Sequence, residues 1–172
     1  MNALLTFIGY EIVWFAAVIG AGHGLVWPGV TSAATFFAWR MAVSRTRGSD
    51  LGLLVVSFAV GAMLETFWVR TGLIDYSAAW PFASAPAWLL ALWASFGLTI
   101  VPLFGWLQAR PWLGAVLGAV GGPLSYWAAA RGWHAASFPP RPFASLAALA
   151  LGWAAALPLL TTLARRLDGA HS

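Results

Sequence analysis

Apolar residues are gathered along this chain into six long runs, each bounded by charged or turn-forming residues, and none alternates with the period of a strand. The runs cover about residues 2–21, 24–42, 51–72, 87–107, 112–130 and 143–164. A hydrocarbon core of roughly 30 Å takes about 20 helical residues to cross, which is the length of each run. Backbone amides inside a bilayer have to be satisfied within their own segment, so runs of this kind predict helices. The pattern therefore predicts an all-α, polytopic helical membrane protein. Six transmembrane helices would form one compact bundle and one domain over residues 1–172.

The connections carry their own information. Gly20-Ala21-Gly22-His23-Gly24 forms a tight turn after the first run, and residues 40–50 (RMAVSRTRGSD) are the most hydrophilic stretch. Residues 73–86 mix Asp75, Trp80, Pro81 and Phe82, which suits an interfacial or re-entrant piece better than a solvated loop. Residues 131–142 hold Pro139, Pro140 and Pro142 and make a rigid link. In the last helical stretches, Gly114, Gly118 and Gly122 recur at i+4 and strip one face of the fifth run of bulk, which permits close helix contact. Gly121-Gly122-Pro123 then interrupts the i to i−4 ladder, with Ser125 placed to satisfy a freed carbonyl.

Composition sharpens this picture. Charged residues make up 8% of the chain and hydrophobic residues 61%, against about a quarter charged in a soluble domain. The pI of 10.7 comes from nine Arg against five acids, with no Lys. Those Arg stand at the ends of the runs and form no stripe that would neutralise phosphates, so nucleic acid is excluded as a partner. They set topology instead. With both termini in the cytoplasm, Arg40, Arg45, Arg47, Arg110, Arg165 and Arg166 lie inside and Arg70, Arg131 and Arg141 outside. Trp27, Trp80, Trp88, Trp127 and Trp133 then fall near the outer interface and Trp39, Trp106 and Trp112 near the inner one. The start Met1-Asn2-Ala3 lacks a positive n-region and Glu11 interrupts the first run, so no cleaved signal peptide is expected. The location expected is the bacterial inner membrane.

Few residues carry chemistry. The absence of Cys removes disulfides, thiolate metal sites and cysteine nucleophiles. Glu11 sits near the middle of the first run, roughly 15 Å from water at either end. A lone carboxylate there costs at least about 3 kcal/mol, so it must face other helices, pair or carry its proton. It is either a proton-relay or ligand-binding acid, or a polar clamp between helices. Glu65 lies about 10 Å deep in the third run. Gly61 and Ala62 stand one turn before it on the same face, and Trp68 and Val69 one turn after. The small residues admit a neighbouring helix or a ligand, and Trp68 supplies an aromatic wall. The interruption at Pro123, with the hydroxyl of Tyr126 beside it, is either a hinge and binding surface or a static kink. His23 and His134 show no metal-ligand spacing, and neither a phosphate loop nor a haem motif occurs, so no metal and no cofactor are expected.

Glu65-x-x-Trp68 with Gly72-Leu73-Ile74-Asp75-Tyr76, then Pro86-Ala87-Trp88 and Leu92-Trp93-x-x-Phe96, form one half of a pattern. Trp106-Leu107, Arg110-Pro111 and Gly118-Ala119-Val120-Gly121-Gly122-Pro123-Leu124-Ser125-Tyr126 form the other. Together they resemble the domain-of-unknown-function 2878 family of bacterial integral membrane proteins, over nearly the whole chain. The resemblance implies an acid at Glu65 and a small inner-membrane protein, and it implies no activity. A short polar run that the family pattern places before the Trp-Leu pair reads Val101-Pro102-Leu103 here.

Three functions fit these residues. The first is a non-catalytic membrane component that binds a lipid, an isoprenoid or a membrane-protein partner through the third and fifth runs, with Glu65, Trp68, Glu11, Tyr126 and Pro123 as candidate ligand-binding residues. The second is an intramembrane enzyme on a lipid or isoprenoid, with Glu65 as general acid/base and Glu11 or Tyr126 assisting. The third is a small proton-coupled transporter using both acids, for which an inverted repeat and paired broken helices are missing.

Overall fold

The long apolar runs fold as helices whose large side chains point outward as often as inward. In the computed structural model, which describes residues 3–169, α1 (Ala3–Gly22) presents Leu4, Ile8, Ile12 and Phe15 on its outer face. It is followed by α2 (Trp27–Val43), α3 (Arg47–Arg70), β1 (Asp75–Tyr76), α4 (Ala87–Gly97), α5 (Ile100–Phe104), α6 (Pro111–Trp133), β2 (Ala136–Ser137) and α7 (Phe143–Gly169). Four of these helices, α1, α3, α6 and α7, are long and apolar enough to cross a membrane, and α4 with α5 makes a fifth if the bent pair is one span. The chain is all-α, and its outward apolar faces and several span-length helices suit a hydrocarbon solvent. At 17 residues, α2 is shorter.

The fourth run is bent where a straight helix is expected. Its two halves meet at 53° between Gly97 and Ile100, and a 3-10 turn over Gly105–Leu107 finishes it. Pro102 weakens the ladder there: it has no N–H to offer the Leu98 carbonyl four residues back, and its ring crowds that carbonyl. Thr99 turns its hydroxyl onto the Phe96 carbonyl at 2.7 Å and helps close the end of α4. Pro123, by contrast, leaves α6 continuous. The Ser125 hydroxyl, expected to satisfy a freed carbonyl there, instead accepts a hydrogen bond from Trp14 Nε1 on α1 at 3.0 Å.

The hydrophilic stretch is shorter than the sequence implies. Arg40 lies within α2, and Arg47 and Asp50 within the first turns of α3, so only Ser44, Arg45 and Thr46 link the helices. Arg40 and Asp50 are both buried and form a 2.7 Å ion pair. The segment between α3 and α4 places β1 antiparallel to β2, pairing Asp75 with Ser137 and Tyr76 with Ala136. Ser77 Oγ donates to the His134 carbonyl at 2.6 Å, and Trp88 Nε1 donates to the Ser77 carbonyl at 3.1 Å. This small ribbon ties the ends of α3, α4 and α6 together.

Small residues decide which helices meet. The most extensive helix pair is α6 with α7. Gly114, Gly118 and Gly122 form the seam on α6, where a Cβ at Gly118 would overlap the Trp153 carbonyl and one at Gly122 the Trp153 indole. In lipid the apolar effect between helices is lost, and such close packing takes its place. Gly118→Leu is therefore expected to lower stability on the order of 1–3 kcal/mol by overpacking. Gly121→Leu, three residues on where a Cβ meets nothing within 4 Å, should melt like wild type. Thermal melts of the two variants in the same detergent check the pair.

Candidate functional site

Glu65 projects from the last two turns of α3 with no exposed surface. One turn before it, Gly61 leaves a gap that the Trp93 indole fills, since a Cβ there would collide with that ring. The ring thus presents Nε1 to Glu65 Oε1 at 2.8 Å. Ser57, one further turn back, donates its hydroxyl to the Trp93 carbonyl at 2.6 Å and fixes α4 against α3. The space that Gly61 opens is therefore taken by a side chain of the protein.

Two more donors converge on the same carboxyl. Tyr76, carried by β1, donates to Oε2 at 2.5 Å. Tyr126, carried by α6, donates to Oε1. Glu65 thus accepts from three segments distant in sequence, and all three donors are uncharged. Trp68 is also buried and meets the Tyr126 ring edge-on, with centroids 6.1 Å apart. Behind this layer Trp153 stacks on Trp93 at 4.4 Å and 17°.

On the far side of Tyr126 and Trp93 lies a cavity of about 570 Å³. α1 contributes Tyr10, Glu11 and Trp14 to it, α4 Trp93 and Phe96, and α7 Trp153 and Leu157. α6 contributes the strip from Leu117 to Ala128, about 16 Å of helix. Part of its lining is exposed apolar surface: Leu117 and Leu124 on α6 are 42% and 62% exposed.

Of the residues singled out from the sequence, Glu65, Trp68 and Tyr126 come together in one cluster. Glu11 stands apart from them, in the opposite wall of the cavity that Tyr126 lines. It makes no hydrogen bond or ion pair with another described residue, so it is not the interhelical clamp that one reading assigned to it. Pro123 is half-buried on α6 between cavity-lining neighbours and takes no part in the network. His23 bonds the Ile19 carbonyl through Nδ1 at 2.9 Å, and His134 adopts a left-handed conformation that ends α6. Sequence reasoning did not single out Tyr76, Trp93 or Trp153 as site residues. Tyr76 and Trp93 do stand in the quoted family pattern, and an aromatic residue with a polar tip near a buried acid was the available signal.

The network has a measurable consequence for folding. Glu65→Leu strands three buried donors, at about 1–3 kcal/mol each, so a loss of several kcal/mol is expected. Glu65→Gln keeps one acceptor oxygen in place and should lose less. Chemical or thermal unfolding of the two variants in detergent micelles checks the order, and equal stability of Glu65→Leu and wild type would contradict it.

Comparison with known proteins adds the family and nothing about chemistry. No curated protein matches the chain, and no solved structure does. A family model described as "Protein of unknown function (DUF2878)" matches residues 3–159, so Glu65, Tyr76, Trp93, Tyr126 and the cavity all lie in the matched region. The chain belongs to the DUF2878 family.

Proposed function

We propose that this protein is a non-catalytic, multi-pass component of the bacterial inner membrane that binds a hydrophobic, lipid-like molecule drawn sideways from the bilayer. The observation that carries this reading is the largely apolar cavity lined by α1, α4, α6 and α7, whose lining includes the exposed Leu117 and Leu124. Apolar and aromatic side chains make up most of its wall, with a few fixed polar groups, as in sites for small hydrophobic ligands. A cavity of this size holds on the order of twenty water-sized groups, comparable to one long acyl or isoprenoid chain. In this reading the Glu65 network is the rigid back wall, with Tyr126 and Trp93 as its ligand-facing surface. A membrane-protein partner remains compatible with the same faces.

The topology we favour has six spans forming one domain, with both termini in the cytoplasm. α2 would span about 25 Å, short of the full core but within the range of membrane helices. Arg40, paired with Asp50, drops out of the charge count. Arg45, Arg47, Arg110, Arg165 and Arg166 then stand against Arg70, Arg131 and Arg141, which preserves the inward bias.

A second reading is favoured by one feature: Tyr126 touches both the cavity and Glu65. An intramembrane enzyme on a lipid or isoprenoid would use Tyr126 to pass a proton between ligand and Glu65.

Native mass spectrometry of protein released from lipid nanodiscs should show a bound lipid-sized molecule, and Gly121→Trp should abolish it by filling the cavity from a position with open space. A Gly121→Trp variant that keeps the adduct overturns the binding reading. Chemical conversion of that molecule, lost in Tyr126→Phe, would favour the enzyme. A reporter fused after Arg166 should be active in the cytoplasm, and activity in the periplasm would sink the topology.

A further inference from the structure

The walls of the cavity differ sharply in how their polar groups are used. On the α6 side the hydroxyl of Tyr126 donates to Glu65, and the indole of Trp93 does the same. At the α1–α6 edge the Trp14 indole donates to Ser125. On α1, however, two adjacent residues that line the cavity are uncommitted: neither the carboxyl of Glu11 nor the hydroxyl of Tyr10 is hydrogen-bonded to another described residue. Glu11 stands eight residues from the start of α1 and eleven from its end, roughly 12 and 16 Å along the axis. If α1 spans the bilayer, neither water nor lipid headgroups reach that depth from its outer surface. A polar group there has to find its partner inside the cavity.

Resting on the binding reading above, we infer that the occupant is a long-chain hydrophobic alcohol, whose hydroxyl donates to Glu11 and accepts from Tyr10. A hydroxyl has one donor and two acceptor sites, the complement that an acceptor carboxyl and a donor phenol call for. An ammonium would make a buried charge pair with Glu11, whose desolvation is costly. A carboxylate or phosphate head is repelled by Glu11 when that group is ionised. A molecule without a polar group leaves Glu11 as it stands, unpartnered among apolar side chains.

The test uses two probes of equal length, hexadecanol and its methyl ether, titrated onto the full-length protein in nanodiscs and read by native mass spectrometry. Wild type should prefer the alcohol by about two- to tenfold, the value of one hydrogen bond. In Glu11→Leu the preference should vanish while the ether binds as before; Glu11→Gln, which keeps an acceptor and the side-chain shape, should retain part of it. Leucine suits a membrane helix, so folding is not expected to limit the first variant, and the amide variant serves if it does. Equal binding of both probes to wild type overturns the alcohol assignment and leaves the cavity reading standing. Binding of neither probe, or binding that survives Gly121→Trp, removes the cavity reading and this inference with it.

Discussion

A carboxyl group sealed from solvent and held by three aromatic donors sets the arrangement of the upper half of this protein. Glu65 lies in α3, Trp93 in α4, Tyr76 in the ribbon and Tyr126 in α6, so one side chain fixes the relative placement of four segments. Leaving any of these donors without an acceptor in so apolar a setting is costly, which makes the arrangement all-or-none. The ribbon supports the same constraint. Pairing of β1 with β2 ties Tyr76 to the segment that follows α6, so Tyr76 and Tyr126 are restrained from one end as well as by the acid.

Trp93 reaches Glu65 because a glycine stands opposite it, and Trp153 and Trp68 beside the network are seated in the same way. Gly61 admits Trp93, Gly122 admits Trp153, and Gly152 admits Trp68; in each case a Cβ would run into the ring. Large, flat side chains set into backbone notches give wide contact between helices without relying on water to drive them together, as membrane packing requires. The notches also orient the rings. An indole held against a bare helix backbone has little rotational freedom, so its N–H is aimed before the carboxyl is considered. Packing and hydrogen bonding therefore specify the same geometry, and that agreement between levels is what gives one structure.

Much of this was legible in the chain. The hydrophobic runs, bounded by arginine and glycine, place the helices, because hydrocarbon leaves the backbone no alternative to helical bonding. The glycine repeat in α6 announced a close neighbour, and Glu65 announced a buried polar cluster. Other features needed three dimensions. Pro102 sits in an apolar run like Pro123 and Pro158, yet the bend occurs at Leu98 and Thr99, while α6 and α7 stay continuous. A proline removes the same bond in each, and neighbouring packing decides whether the helix gives way. Arg40 read as a loop charge because its partner, Asp50, lies ten residues on, across a turn that periodicity does not resolve. Gly61 read as open space beside the acid, because no rule of spacing says which distant ring fills a notch.

The two acids of the membrane helices divide the cavity between them. Glu65 is saturated: three donors occupy its oxygens, and Tyr126 and Trp93 stand between it and the cavity. A group so fully engaged is suited to holding a wall in place. Glu11 has the opposite character, with a half-buried carboxyl, no described partner and a place on the open side. If both acids were structural, an apolar residue at position 11 would cost less, since no described residue hydrogen-bonds that carboxyl. If both were reactive, Glu65 would stand nearer the cavity than its own donors do. The asymmetry fits a site whose rigid side is assembled during folding and whose other side waits for a ligand, with the cavity lying between the two.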